Sequence, residues 1–251
     1  MNMLAIVLSR KDFRDYDQII SVYTQEKGKM SLLVRGVKKI VSKNSAYLEP
    51  FSIVNITVEK GKEVDYLTRV QSENYLCGIR ENLQKSLVAT YIVSLVDKLF
   101  SEGEVDNKFF SFLQNFLVYL DSLKDLNDKM TVFILDVFAV NLLSFLGFKL
   151  SSDEKIINSE FLTYIQVFES AHSPRRARQG GQGLISSSLL QNDPFDTSSS
   201  CREVVYKGDL SEIFSLNFEV DLAKKIHKVV YNFLVHYTER KIVDWAKTCV
   251  V

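Results

Sequence analysis

The sequence is poor in the residues that mark disulfide-rich, metal-binding and low-complexity proteins. Its 251 residues include only 3 Cys, 3 Pro and 10 Gly. The cysteines, Cys77, Cys201 and Cys249, are odd in number and far apart, and no Cys-x-x-Cys pair occurs. This argues against a disulfide framework and against a cysteine-based zinc site. A reducing cytoplasm is therefore the expected compartment.

The sequence also lacks a long uncharged apolar segment. Its most apolar stretch, residues 132–146, is short for a membrane span and contains Asp136 and Asn141. The first residues, MNMLAIVLSRKDF, contain neither a charged leader nor a small-residue cleavage site, so no signal peptide is expected. We expect a protein that does not cross or contact a membrane.

Motifs of the common enzyme classes are missing as well. There is no Gly-x-x-x-x-Gly-Lys-Ser/Thr loop, no Gly-x-Ser-x-Gly elbow and no His-Glu-x-x-His helix. The Gly-rich run at 180–183 follows no predicted strand, which favours a flexible loop. His227 and His236 are nine residues apart, which is not a spacing that puts two metal ligands on one helix face. We predict no catalytic residues, no metal and no cofactor, and a hydrolase using His227 or His236 is the least favoured alternative.

Positive charge is balanced overall but concentrated locally. The chain has 31 basic and 31 acidic residues, and residues 1–75 hold 12 basic against 9 acidic ones. One stretch has six basic residues and no acidic one: Lys27, Lys29, Arg35, Lys38, Lys39 and Lys43. Basic side chains contact phosphates independently of base sequence, and aromatic rings can stack on bases. Three tyrosines of this region are candidates for stacking: Tyr16, Tyr23 and Tyr47. A solvated basic loop with core tyrosines explains the same residues equally well.

Hydrophobic periodicity divides the chain near residue 76. Before it, five short β-rich runs are separated by turn-forming residues, and Val54, Ile56 and Val58 alternate with polar residues as in a strand buried on one face. The runs are 4–8, 19–24, 30–34, 51–58 and 64–70. Five strands in so few residues predict a closed barrel of the oligonucleotide-binding (OB) type, because closure removes exposed edges. The fold class is α+β, with an OB domain over residues 1–76.

The remainder, residues 77–251, is predicted to be a helical domain. Apolar residues recur at helical spacing in four segments: 87–99, 109–120, 132–146 and about 220–237. Residues 171–201 interrupt this pattern with Ser, Gly, Gln and two of the three prolines. We interpret this segment as a mobile insertion in one helical bundle.

A series of short motifs along the chain resembles one protein family. In order, they are Ser-Arg-Lys-Asp-Phe with Tyr16-Asp17, then Lys-Gly-Lys, Val-Arg-Gly, Leu-Glu-Pro-Phe and Leu-Val-Asp-Lys-Leu. No single motif is diagnostic, but the collinear series over residues 4–150 resembles the bacterial DNA repair and recombination mediators of the RecO family. YNFLVHYTERKI near the end is a plausible continuation of the match.

The resemblance implies an N-terminal OB barrel, a C-terminal helical domain and a function without catalytic turnover. It implies binding of single- and double-stranded DNA, annealing of complementary strands, and cooperation with RecR in loading RecA. A further implied partner is the C-terminal tail of the single-stranded DNA-binding protein, in an apolar pocket of the helical domain with a basic rim. Lys85, Lys98 and Lys108 are the basic residues nearest the early helices. The implied location is the bacterial cytoplasm, in association with the nucleoid.

The chain departs from the family at the zinc module that many members carry. Ser173-Pro174 and Gly180-Gly181 resemble parts of that module, but Ile185-Ser186-Ser187-Ser188 supplies serines where thiols would be needed. Serine is a poor zinc ligand at neutral pH. The resemblance therefore implies a degenerate module without metal, and its lack of an organising ion predicts a loosely ordered segment.

Metal analysis tests this departure. Purified protein is expected to contain less than one equivalent of zinc, and a chelator should leave its melting temperature unchanged, because residues 171–201 offer only His172 and Cys201 as strong ligands. Limited trypsin digestion should cleave near Arg175, Arg176 and Arg178. Stoichiometric zinc that is lost together with folding would contradict the first expectation, and uncleaved bonds would contradict the second.

The sequence as a whole predicts a DNA-binding and strand-annealing mediator. The residues predicted to contact phosphates are the basic residues of the barrel: Arg10, Lys11, Arg14, Lys27, Lys29, Arg35, Lys38, Lys39 and Lys43. The alternative from another class is a protein-interaction scaffold whose barrel no longer binds DNA, which the zero net charge permits.

Overall fold

The N-terminal strands close into a five-stranded barrel in the order β1-β2-β3-β5-β4, with β4 returning to β1. The computed structural model describes residues 1–39, 45–148 and 220–249. The strands are β1 (Asn2–Asp12), β2 (Gln18–Thr24), β3 (Gly28–Val34), β4 (Ile53–Glu59) and β5 (Asp65–Asn74). Of the neighbouring pairs, β3 and β5 are parallel and the others antiparallel. This topology confirms the predicted OB barrel.

Alternating apolar residues fill the barrel. On β3, Leu32 and Val34 point inward and are almost fully buried, as are Ile20 and Val22 on β2. The long strand β1 pairs with two neighbours. Its residues 2–6 pair with β4 and its residues 5–12 pair with β2, and the register with β2 is irregular between Val7 and Ser9. Such a bend lets a single strand turn around the small barrel.

Six helices follow among the described residues. They are α1 (Cys77–Arg80), α2 (Leu83–Leu99), α3 (Asn107–Ser122), α4 (Asp128–Phe145), α5 (Val220–Thr238) and α6 (Trp245–Thr248). Polar side chains cap the starts of α2, α3 and α4, where Asn82, Asp106 and Asn127 accept backbone N–H groups. Gly147, with φ of +88°, follows the end of α4. None of the helices in the described parts is long and apolar enough to cross a membrane.

Aromatic side chains form much of the helical core. The ring of Phe112 stacks on Phe138 at 5.7 Å and lies 5.7 Å from Phe116, and Val230 and Leu234 of α5 are fully buried.

The four predicted helical segments are confirmed as α2 to α5. Strands end at Asn74 and helices start at Cys77. The division into two domains at residue 76 stays a prediction. The helices and the barrel belong to one compact unit, Met1–Asn158 with Asn217–Val251. The predicted insertion at 171–201 lies outside the described residues.

The connection between α2 and α3 packs on the outer side of the barrel. Tyr23 of β2 contacts Phe100 and Phe109 edge-on, at 5.3 and 5.2 Å between ring centroids. Gly28, in the turn between β2 and β3, has φ of +64° and lies so close to the carbonyl oxygen of Glu104 that an added Cβ would stand 1.9 Å from it. Only glycine suits both the backbone conformation and this close approach. The helical part therefore covers one end of the β2–β3 hairpin.

Candidate nucleic-acid interface

The basic stretch identified in the sequence is divided between two ends of β3. Lys27 and Lys29 lie at the β2–β3 turn, whereas Arg35, Lys38 and Lys39 follow the last residue of the strand. Arg35 lies six positions after Lys29, which at about 3.3 Å per residue puts them roughly 20 Å apart. Lys43 lies outside the described residues. The stretch is therefore two groups of charges rather than one patch.

The second group meets the β1–β2 turn. The backbone N–H of Lys38 donates to the carbonyl oxygen of Tyr16 at 3.1 Å, and that of Gly36 donates to the Asp17 carboxylate at 2.8 Å. We call the side chains joined here the loop-end cluster; its members are Phe13, Arg14, Tyr16, Arg35, Lys38, Lys39 and Tyr66. The tertiary structure thus places basic residues from two separate loops side by side.

Cations and aromatic rings are paired throughout the loop-end cluster. The guanidinium of Arg35 lies 4.5 Å from the ring centroid of Tyr66, and the ammonium of Lys39 lies 5.5 Å from that of Tyr16. Arg14 lies 5.0 Å from the ring of its neighbour Phe13. Phe13 and Tyr16 are 47% and 57% exposed, so their rings are accessible from solvent. Such an array offers positive charge and stacking faces together.

The remaining basic residues of the barrel differ in how far they are already neutralised. Arg10 donates to the carboxylate of Glu49 and, at 3.3 Å, to the amide oxygen of Gln18. Lys38 pairs with Asp12 at 2.8 Å. Hydrogen bonds from Gln18 and Lys38 hold the pKa of the Asp12 carboxyl below its usual value. Lys11 is exposed and Lys27 half-buried. Arg14, Arg35 and Lys39 are therefore the cations of the loop-end cluster that no carboxylate neutralises among the described residues.

Lys29 is not available for DNA in this structure. Its ammonium donates to the carbonyl oxygens of Asp97 and Phe100 and pairs with the Asp97 carboxylate at 3.2 Å. Only 13% of its side chain is exposed. Lys29 thereby supplies hydrogen-bond donors and a positive charge to carbonyl groups at the end of α2, where helical carbonyl groups lack partners within the helix. We leave Lys29 out of the proposed phosphate contacts.

Tyr23 also differs from its sequence interpretation. Its ring is fully buried between the barrel and Phe100 and Phe109, so it offers no face to a base. Burial raises the pKa of the Tyr23 hydroxyl, which donates to the carbonyl oxygen of Glu104 at 3.3 Å. Of the three tyrosines named from the sequence, Tyr16 and Tyr47 are exposed, at 57% and 39%. Sequence reasoning missed Phe13, although its place beside Arg14 in a predicted turn was a usable signal.

The outer side of β1 and β2 carries a hydrogen-bonded carboxylate. Asp97 accepts from the hydroxyls of Ser9 at 2.9 Å and Ser21 at 2.6 Å. Burial opposes ionisation of this carboxyl, but the serine hydrogen bonds and the charge of Lys29 outweigh it and keep its pKa below the ordinary value. This part of the barrel surface is consequently occupied by the helical region and closed to a ligand.

The lysines considered as the rim of a partner pocket have separate positions. Lys85 is 3% exposed and donates to the carbonyl oxygens of Asp121 and Leu123, so it stabilises the end of α3 rather than facing a partner. Lys98 and Lys108 are exposed. The structure does not bring these three residues into one rim.

The two helical histidines have unequal surroundings. His227 lies between two carboxylates, with its Nδ1 2.9 Å from Asp136 and its Nε2 3.0 Å from Asp244. Trp245 donates from Nε1 to Asp136 at 3.0 Å. We call these four residues the His227 network. Among the described residues, no hydrogen bond joins a serine hydroxyl or a cysteine thiol to this network. Within the described residues no group of three or more His, Cys, Asp or Glu is arranged to hold a metal ion.

Comparison with known proteins finds one protein family over most of the chain. The family model described as Recombination protein O N terminal matches residues 1–75, and the one described as Recombination protein O C terminal matches residues 80–246. The DNA repair protein RecO of Desulforamulus reducens is 24% identical over 241 residues, which cover 95% of this chain and 90% of that protein.

Two further relatives have the same name. The DNA repair protein RecO of Symbiobacterium thermophilum is 24% identical over 250 residues, covering 96% of this chain and 93% of that protein. That of Limosilactobacillus fermentum is 32% identical over 101 residues, covering 39% of this chain and 36% of that protein. The two family models span nearly the whole chain, and the barrel and helices match their division at residues 75–80. This protein belongs to the RecO family of DNA repair proteins.

Proposed function

We propose that the protein is a non-catalytic recombination mediator that binds single- and double-stranded DNA through the loop-end cluster. The observation that carries this proposal is the convergence of three unneutralised cations, Arg14, Arg35 and Lys39, with exposed rings at one end of an OB barrel. Phosphates of either DNA form can bind the cations, and the unstacked bases of a single strand can also bind the rings. Membership of a DNA repair family supports DNA as the ligand.

Annealing follows from the same chemistry. Two complementary strands repel each other, and cations that neutralise phosphates on both reduce that repulsion while the base edges stay free to pair. We propose that the protein anneals strands coated with the single-stranded DNA-binding protein, contacts the acidic tail of that protein, and acts with RecR in loading RecA. Its place of action would be the bacterial cytoplasm, at the nucleoid.

Salt titration of DNA affinity tests the proposal. The R35A/K38A/K39A variant should flatten the plot of log affinity against log salt by about 2 for single strands, since each lost phosphate contact removes roughly 0.7 and Lys38 is partly neutralised by Asp12. The matched control is K108A/K124A/K228A, which removes the same charge from exposed lysines of the helical region. The control should keep the wild-type slope.

The aromatic rings give a second, independent measurement. F13A/Y16A should weaken binding of a single strand by about 1–3 kcal/mol per unstacked base and leave duplex binding nearly unchanged, because duplex bases are already stacked. Equal slopes for wild type and R35A/K38A/K39A would place DNA elsewhere. A wild-type protein that binds no DNA, and that fails to accelerate annealing of coated complementary strands, would favour the interaction-scaffold alternative.

A further inference from the structure

A second group of cations surrounds a cleft of about 540 Å³ at the other end of β3. The cleft lies where the start of β3 meets the end of α2 and the segment that follows α5. Three exposed basic residues line it: Lys98, Arg240 and Lys241. More than 140 positions separate Lys98 from the other two in the sequence, so no local sequence pattern reveals the group.

The chain reverses direction to bring Arg240 and Lys241 to this cleft. Helix α5 ends at Thr238, and Glu239 adopts the left-handed conformation with φ of +50°. The next apolar residue, Ile242, is buried, and the hydroxyl of Tyr231 donates to its carbonyl oxygen at 3.0 Å. These contacts fix the backbone on both sides of Arg240 and Lys241. The pair is therefore held beside α2 by a packed segment.

The side chains that line the cleft carry more positive than negative charge. Within the parts of the chain that are described, none of Lys98, Arg240 and Lys241 forms an ion pair or a hydrogen bond through its side chain. Both carboxylates of the cleft are engaged on the barrel side: Asp97 by Ser9, Ser21 and Lys29, and Glu102 by the hydroxyl of Ser31. Lys29 also binds the final carbonyl groups of α2. The cleft therefore keeps a net charge of +2, from four cations and two carboxylates, and Lys98, Arg240 and Lys241 are its cations without a partner among the described residues.

We infer that this cleft is a second phosphate-binding site, which holds the backbone of a DNA strand whose other end occupies the loop-end cluster. The inference rests on the proposed DNA binding. A guanidinium and two ammonium groups match the oxygens of phosphodiesters. A peptide with an aromatic end would need an apolar pocket, and here the one apolar lining residue, Phe100, is 4% exposed.

The geometry sets the length of DNA that reaches both sites. Lys29 lies on β3 at the cleft, and Arg35 of the loop-end cluster lies six positions later, directly after the last residue of the strand. The separation of roughly 20 Å corresponds to about six nucleotides of a base-stacked strand, which rises 3.4 Å per nucleotide as in duplex DNA. Strands of four nucleotides engage one site, and strands of twelve or more engage both.

Oligonucleotides of two lengths distinguish the second phosphate-binding site from the proposed DNA binding by the loop-end cluster. We compare binding of 4- and 16-nucleotide single strands to wild type, K98A/R240A/K241A and the control K108A/K124A/K228A, each as the full chain. The cleft variant is expected to lose about 2 from the salt slope of the 16-nucleotide strand, or about 16-fold of the affinity change between 50 and 200 mM salt. It should bind the 4-nucleotide strand within twofold of wild type.

Each other result has a defined meaning. A wild-type slope for the cleft variant on 16 nucleotides, with a reduced slope for R35A/K38A/K39A, overturns the second site and leaves the proposed function intact. Absence of DNA binding by the wild type overturns both. If the cleft variant keeps the wild-type slope but loses binding of an acidic peptide with an aromatic C-terminus, the cleft serves a protein partner and the inference is overturned. All exposed-residue variants should melt at the wild-type temperature.

Discussion

Replacing His227 with alanine is expected to lower the free energy of unfolding by about 3–5 kcal/mol. Asp136 is 2% exposed, and in the folded protein its carboxylate accepts from both His227 and Trp245. Without the imidazole, a buried carboxylate loses its nearest positive partner and one hydrogen bond. The cost of leaving that charge uncompensated accounts for the magnitude.

His236 provides the control for this substitution. It lies on the same helix but is exposed, and its ring meets the ring of Tyr237 edge-on at 5.1 Å between centroids. His236→Ala should change the free energy of unfolding by less than about 0.5 kcal/mol. Urea denaturation of both variants measures the difference. Equal stability of the two variants would show that the His227 network does not stabilise the fold.

The His227 network also makes the stability of the protein depend on pH. Burial alone would lower the pKa of His227, but the hydrogen bonds and charges of Asp136 and Asp244 outweigh it and raise the pKa above the ordinary 6.5. The folded protein thus holds this proton more tightly than the unfolded chain. The stabilisation is fully present below pH 6.5 and is lost as the pH rises through the folded-state pKa. The stability difference between wild type and His227→Gln should shrink from pH 6 to pH 9.

The titration of Asp136 also lowers stability as the pH rises, but over a lower pH range than that of His227. Burial raises the pKa of its carboxyl to about 6, although His227 and Trp245 favour the ionised form. A raised carboxyl pKa means that the folded state binds the extra proton, so stability from this group falls as the pH rises from its ordinary pKa of 3.8 to about 6. A wild-type stability that rises between pH 6 and 9 would contradict the assignment for His227.

Replacing Asp97 with alanine is expected to cost about 3–5 kcal/mol as well, because it leaves Lys29 charged and largely buried. The substitution also removes the acceptor of two serine hydroxyls, Ser9 and Ser21. These contacts join α2 to β1 and β2. The loss should therefore appear in unfolding monitored on the barrel and on the helices alike.

Asp97 has the opposite dependence on pH. Its lowered pKa means that its stabilisation is present above the ordinary pKa of 3.8 and is lost as the pH falls toward the folded-state value. The control is Asp125→Ala, which removes an exposed carboxylate of the α3–α4 connection and should leave stability within about 0.5 kcal/mol. A matching loss in the double variant Lys29→Met/Asp97→Leu would argue against an uncompensated charge as the cause.

The secondary structure followed from local patterns. Alternation in Val54, Ile56 and Val58 predicted β4, and the recurrence of apolar residues in 109–120 predicted α3, because each pattern matches the geometry of one element. Starts of helices were less accurate: α2 begins at Leu83, four residues before its first periodic apolar residue. Asn82 caps it there, and capping was not used in the prediction.

The candidate site was predicted only in part. The sequence identified Arg35, Lys38 and Lys39 as basic and Tyr16 as a stacking candidate, and the structure brings all four into the loop-end cluster. It also counted Lys29 and Tyr23, whose roles depend on Asp97, Phe100 and Phe109, which lie 68 or more positions away. A charge or a ring in the sequence does not reveal which partner will cover it.

The sequence by itself determined the barrel, the helices, the family and the absence of an enzyme motif, since these depend on residue type and on spacing along the chain. Only the tertiary structure decided which charges remain free. In the folded protein, Lys29 is largely buried and paired with Asp97. The other described residues of the basic stretch lie at the two ends of β3. Lys98, Arg240 and Lys241 line one cleft although they are far apart in the sequence. The physical reason is that charge pairing and burial depend on distances of a few ångströms in space, and closing the barrel and reversing the chain at Glu239 set those distances.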